Sequence, residues 1–188
     1  MTRRLVLLAV LALLACCAGC GTIASPDAAA GPWDPVVGVM ADRLATADTV
    51  AASKYVSKAA VEDPARERVV LDAAAAAGAS RRLDPAEVAA VLGDQIAASK
   101  VVQYGLLEDW TDRPTTAPTT PPDLAAVRTT LDAVTPRLVE ALATAQAART
   151  DPVCRGEVTS AAVRVAAARS LDTLHRRGLE RAVRSLCA

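Results

Sequence analysis

Three cations and one amide, Arg43, Lys54, Arg66 and Gln103, stand at positions suited to gripping a small anion. Arg43 and Lys54 are eleven residues apart. At about 100° per residue that separation returns almost to the same helix face, roughly three turns along. The surrounding residues are rich in Ala and Val, so the face they share should turn inward. An unpaired buried cation costs several kcal/mol, so an anion should meet these groups there. Gln95, Ser99 and Gln103 recur every four residues and form a polar stripe among Val91, Leu92, Ile96, Val101 and Val102. Asp63 and Glu67 bracket Arg66, and Arg128 follows a Pro-rich stretch. Three guanidinium groups, an ammonium, an amide and a hydroxyl suit a small dicarboxylate, because Arg meets carboxylate with two parallel hydrogen bonds.

The chemistry that is missing narrows the choice. His175 is the single histidine and lies near the end of the chain. No Cys–His or Ser–His pairing suggests a nucleophile, and no cluster has metal-ligand spacing. An enzyme built from these residues would work by positioning and electrostatics, with no cofactor or metal. Each residue alone also has an ordinary role. An isolated Arg on a helix is usually solvated. Asp63 and Asp84 suit helix caps, Tyr104 and Trp110 suit packing, and His175 suits a surface or hydrogen-bonded position.

The elements that must carry these groups read as helices. Hydrophobic residues make up 52% of the 188-residue chain, mostly Ala, Val and Leu, while aromatics are 2% and Phe is absent. That composition favours helices over strands, and no period-two pattern occurs. The first helix is expected from about Pro35 to Ala60. Asp63-Pro64 starts the second, which Gly78 should stop. Asp84-Pro85-Ala86-Glu87 starts a third, reaching about Trp110. Residues 111–122 form a Thr- and Pro-rich connector. Asp123 caps a fourth helix that Pro136 should kink or break. Asp151-Pro152 opens a last segment running to Cys187, with interruptions expected near Gly156 and Gly178. The predicted class is all-α, with one domain over residues 35–188.

The N-terminus reads as an export signal over residues 1–24, followed by a flexible lead-in over 25–34. Arg3 and Arg4 precede an apolar run, Leu5 to Ala15, that is too short to span a bilayer. Small residues before Cys20, and Leu14-Ala15 before Cys16, suit lipid attachment at either cysteine. Ordinary cleavage after Thr22-Ile23-Ala24 is the alternative. The expected location is secreted, periplasmic or lipid-anchored at the cell envelope. Cys154 and Cys187 then remain as a pair, which in an exported chain reads as a disulfide rather than two buried thiols. Lys plus Arg balances Asp plus Glu at 21 each, which argues against nucleic acid as a partner.

One ordered set of residues carries more than any single motif. It runs Asp42-Arg43-Leu44, Lys54, Glu62-Asp63-Pro64-Ala65-Arg66-Glu67, Leu83-Asp84-Pro85, Asp94-Gln95-Ile96, Ser99 and Gln103-Tyr104. It continues through Asp109-Trp110, Pro121-Pro122-Asp123-Leu124, Arg128 and the two late cysteines. This set resembles the all-helical chorismate mutases (the AroQ class), and with the disulfide it is similar to their exported gamma subclass. The resemblance spans nearly all of the mature chain. It implies a type II-like bundle of about six helices with the active site inside one chain. It implies a Claisen rearrangement of chorismate to prephenate, without a cofactor. Arg43, Arg66 and Arg128 would hold the carboxylates of chorismate, with help from Ser99. Lys54 and Gln103 would donate to the ether oxygen, which becomes electron-rich as its C–O bond breaks. Asp63 and Glu67 would orient cations or take a substrate hydroxyl. Arg128 would replace an arginine that cytoplasmic relatives borrow from a partner chain. Gln103 stands where some relatives have Glu, which implies activity without an acid requirement. Val70 stands where exported relatives can carry Gln, which implies a weaker hold on one carboxylate.

Three rivals share the sequence. One is an isochorismate pyruvate lyase on the same scaffold. The others are a non-catalytic binding lipoprotein and a purely structural helical bundle of the envelope. A homodimer is compatible with each.

Overall fold

Asp-Pro pairs start helices in this protein because an aspartate side chain replaces a missing backbone partner. In the computed structural model, which describes residues 30–188, Asp63 Oδ1 accepts from the Arg66 amide at 3.1 Å. Asp84 Oδ1 accepts from the Ala86 amide at 2.7 Å. Such a cap contributes about 1 kcal/mol. The result is α1 (Asp34–Leu44), α2 (Ala47–Ser57), α3 (Pro64–Ser80), α4 (Pro85–Asp112), α5 (Ala125–Thr144), α6 (Cys154–Ala168) and α7 (Thr173–Ala182). Two 3₁₀ turns, Pro114–Thr116 and Gln146–Thr150, flank α5. No strand occurs among the described residues, as the composition predicts. The expected export signal, with Cys16 and Cys20, lies outside the described residues.

Several boundaries differ from the expected ones. The first predicted helix is split. The Thr46 amide bonds the Arg43 carbonyl at 3.1 Å, and the Thr46 hydroxyl bonds it too, at 2.8 Å. This tight turn separates α1 from α2 while the backbone stays in the right-handed region. The helix ends at Ser57, not Ala60, because Lys58 is left-handed with φ 58°. The lead-in is ordered by its last residues. Trp33 is fully buried, and Asp34, bonded to the Gly31 amide, already opens α1.

The glycines do not stop helices. Gly78 lies inside α3, where a Cβ would sit 2.7 Å from Val88 Cγ2. Its smallness lets α3 lie against α4. Arg82 takes the left-handed position instead, and the Leu83 amide returns to the Gly78 carbonyl at 3.0 Å. Gly178 plays the packing part in α7, where a Cβ would meet Val102 at 2.9 Å and Leu44 at 3.1 Å. Gly156 also lies within α6. The interruption expected at the two late glycines falls between α6 and α7, where Ser170 is left-handed and the Leu171 amide bonds the Ala166 carbonyl. Pro136 stands inside α5 without ending it. It removes the amide that would have bonded the Asp132 carbonyl.

The long helix α4 is the spine, packing on α2, α3 and α7, while α1 packs on α5 and α6. Trp33, Met40, Leu92, Leu138, Leu179 and Leu186 fill the core. The C-terminal segment is tied down by polar groups. Asp94, 8% exposed, pairs with Arg181 and accepts from the Ser185 amide at 2.8 Å. Gln95, expected on the pocket stripe, donates instead to the Ala182 carbonyl. Cys154 and Cys187 are disulfide-bonded, with Cα atoms 6.0 Å apart. Closing a loop of this size contributes on the order of 3–4 kcal/mol in the chain-entropy account. No described helix is long and apolar enough to cross a membrane.

Candidate active site

The predicted site residues converge on one cavity of about 250 Å³, enclosed by the end of α1 and by α2, α3, α4 and α5. Arg43 closes α1, and Lys54 comes from α2. Asp63 caps α3, which carries Arg66 and Glu67, and α4 supplies Ser99 and Gln103. Thus the α1–α2 break leaves Arg43 and Lys54 on one wall despite the interrupted helix. Arg128 is the exception among the predicted residues. It is exposed on the first turn of α5, and the cavity is lined by Leu131, Asp132 and Thr135 farther along that helix. A larger cavity, about 460 Å³, lies between α6 and α7, but only Arg176 and Glu180 bring charge to it. The smaller one holds the chemistry.

Three groups in the cavity wall have unused hydrogen-bonding capacity. Arg43 Nε is buried without a partner among the described residues, and burial lowers the Arg43 pKa. A guanidinium stays charged at any ordinary pH, so its orphaned N–H is an anion receptor. Lys54 Nζ donates to the Val61 carbonyl at 2.8 Å, using one of its three donors. Burial, with help from the nearby Lys100 charge, lowers its pKa against the opposing pull of Asp63, Glu62 and Glu67. Gln103, only 5% exposed, donates through Nε2 to Ser99 Oγ at 3.0 Å, while its Oε1 has no partner. Turning the amide over lets the Ser99 hydroxyl donate to Oε1 and points the NH₂ at the unpaired position.

The rim is more engaged. Glu67 Oε1 accepts from the Asp63 amide at 3.2 Å, completing the reciprocal cap. Glu67 also pairs with Lys100 at 2.8 Å, and Glu62 accepts from Lys100 and from the Tyr104 hydroxyl. Sequence reasoning missed Lys100, Asp132, Thr135 and Thr46, all of which line the cavity. A signal for Lys100 was available. Ile96, Ser99, Lys100 and Gln103 share one face of α4 at three- and four-residue steps. In charge, the lining sets Arg43, Lys54, Arg66 and Lys100 against Asp63, Glu67 and Asp132. Such a site selects a small anion. Among the described residues no group of three or more His, Cys, Asp or Glu is placed to hold a metal.

Residues 35–104 match the family described as chorismate mutase type II. The chain is 37% identical over 174 residues to the secreted chorismate mutase of Mycolicibacterium smegmatis, covering 93% of this chain and 96% of the relative. It is 32% identical over 152 residues to the secreted chorismate mutase of Mycobacterium tuberculosis, covering 81% and 76%. The fold is similar to the chorismate mutase of Burkholderia phymatum, with TM-score 0.79, 38% identity, and 84% and 96% of the two chains covered. That of Burkholderia thailandensis superposes with TM-score 0.77 at 29% identity, covering 83% and 99%. By sequence and fold together, the chain belongs to the chorismate mutase type II family.

Proposed function

We propose that this chorismate mutase rearranges chorismate to prephenate in the cavity walled by α2, α3, α4 and α5, by electrostatic stabilisation alone. The observation that carries the site is the joint presence of an orphaned Arg43 N–H and an unsatisfied Gln103 amide beside Lys54. Within one bound molecule the ether C–O bond breaks as a new C–C bond forms, and no proton or group leaves. Arg43 and Arg66 bind the carboxylates, with Ser99 assisting. Arg128, exposed on the first turn of α5 and outside the cavity lining, is assigned to a carboxylate by the family resemblance alone. Lys54 and Gln103 donate to the ether oxygen, whose charge grows at the transition state. Donors placed in advance of that charge bind the transition state more tightly than the ground state. Asp63 and Glu67 orient the cations and accept the substrate hydroxyl.

The names of the secreted relatives support export of this chain. Attachment of a lipid at Cys20 or Cys16 is the finer reading, and Cys20→Ala and Cys16→Ala read it through loss of labelled fatty acid from the mature protein. The activity test uses the oxidised mature chain at pH 7.5 and follows loss of chorismate absorbance, with isochorismate run beside it. Turnover of chorismate to prephenate is the expected result. Release of pyruvate from isochorismate without chorismate turnover would replace the mutase reading with the lyase.

A further inference from the structure

Lys100 enters the cavity wall from α4 with no role yet given to it. Its side chain is 20% exposed, and its ammonium lies between Glu62 and Glu67. Burial opposes its charge, but the hydrogen bonds it donates to the two carboxylates outweigh burial and raise its pKa, so it is a cation at ordinary pH. Glu67 lines the cavity, whereas Glu62 stands outside it and is also held by Tyr104 at 2.9 Å. With Lys100 the lining carries one more cation than carboxylates; without it the two balance. A dianion entering a balanced site gains little net attraction, and it would meet Glu67 unneutralised.

We propose that Lys100 is the fourth substrate-attracting cation of the cavity lining, which neutralises Glu67 and sets how tightly the dianionic substrate is held. This rests on the assignment of the cavity as the chorismate site. The charge acts on ground state and transition state alike, so its signature lies in KM more than in kcat. The same network also fixes the α2–α3 connection beside Val61, the acceptor of Lys54. A purely mechanical clamp is therefore the competing role, and the two differ in sign. Losing Lys100 removes attraction. Losing the Glu62 charge leaves Lys100 less neutralised and strengthens attraction. A clamp is weakened by either change.

The experiment measures steady-state kinetics on chorismate at low ionic strength for wild type, Lys100→Met, Lys100→Arg and Glu62→Gln. Far-ultraviolet circular dichroism and melting temperature confirm that each is folded. Lys100→Met should raise KM about five- to tenfold, with a far smaller fall in kcat. Lys100→Arg should keep KM near wild type, and Glu62→Gln should lower it. An unchanged KM in Lys100→Met, or a raised KM in both Lys100→Met and Glu62→Gln, overturns the proposal. Should Lys100→Met fail to fold, the sign of the Glu62→Gln effect decides. A wild-type chain that turns over no chorismate removes the site assignment itself, whereas an active wild type beside an indifferent Lys100→Met removes only the role of Lys100.

Discussion

Arg43 and Arg149 are arginines set into the same helical bundle, and they end differently. Arg149, 6% exposed, faces Glu87 at 3.3 Å and donates to the Ser185 carbonyl at 3.3 Å. Its own carbonyl accepts from the terminal Ala188 amide. The Nε of each is buried without an aligned hydrogen bond among the described residues, but Arg149 has the Glu87 carboxylate beside it, whereas Arg43 has no carboxylate within ion-pair distance among them. The pattern extends beyond the two residues. On the C-terminal side, Asp94 finds Arg181 and Ser185, Asp34 finds Arg164, and His175 lies between Asp48 and Asp172. In the cavity, Gln103 keeps an unpaired oxygen and Lys54 spends only one donor. Charges that meet inside the chain hold it together. Charges left open by the chain are available to a substrate.

The contrast is broken most directly at its two ends. Arg43→Ala should lower kcat/KM by about 10³-fold, the scale of a lost preorganised charged donor, with little change in melting temperature. Asp94→Ala should do the reverse. It leaves Arg181 without its carboxylate and costs about 3–5 kcal/mol in denaturant unfolding, while kcat/KM per folded molecule stays near wild type. Gln103→Glu sharpens the cavity side. A carboxyl must be protonated to donate to the ether oxygen, so activity should decline about tenfold per pH unit above the Glu pKa, against a flat profile for wild type. Reduction of Cys154–Cys187 should remove on the order of 3–4 kcal/mol of stability while the folded fraction keeps its KM.

The smallest expected effect is at His175. Burial lowers its pKa, but hydrogen bonds to Asp48 and Asp172 outweigh it, so the folded-state pKa lies above the ordinary 6.5. A raised pKa contributes stability that is full below the unfolded value and is lost as pH rises through the folded one. Wild type should therefore lose a few degrees of melting temperature from about pH 6 to above neutrality, and His175→Gln should lose less. Equal pH dependence in the two proteins would remove His175 from the account.

Local chemistry was legible in the sequence, and chemistry shared between elements was not. Asp63 and Asp84 announce helix starts because a cap is made within three residues of itself. Most of the cavity wall was also legible, since Arg43, Lys54, Arg66, Ser99 and Gln103 follow helical spacing and match a family pattern. Gly78 and Gly178 misled because a stop and a close packing contact use the same residue, and only Val88, Val102 and Leu44 tell them apart. The break at Ala45 and Thr46 was invisible because the backbone stays nearly helical through it. Lys100 shares the legible face of α4, but its partner Glu67 comes from α3, and Asp132 joins the cavity only once α5 is packed there. Arg128 marks the opposite gap. The family pattern assigns it to substrate, while the fold leaves it exposed and outside the cavity lining.

If groups left open by the chain lower the barrier as proposed, with Lys54 at the ether oxygen, then loss of the Lys54 ammonium must slow the bound substrate. Comparison of kcat for wild type and Lys54→Ala under saturating chorismate at pH 7.5 tests it. A fall of about 10²-fold or more with an unchanged circular dichroism spectrum is the predicted result. A folded Lys54→Ala whose kcat stays within about twofold of wild type would contradict it.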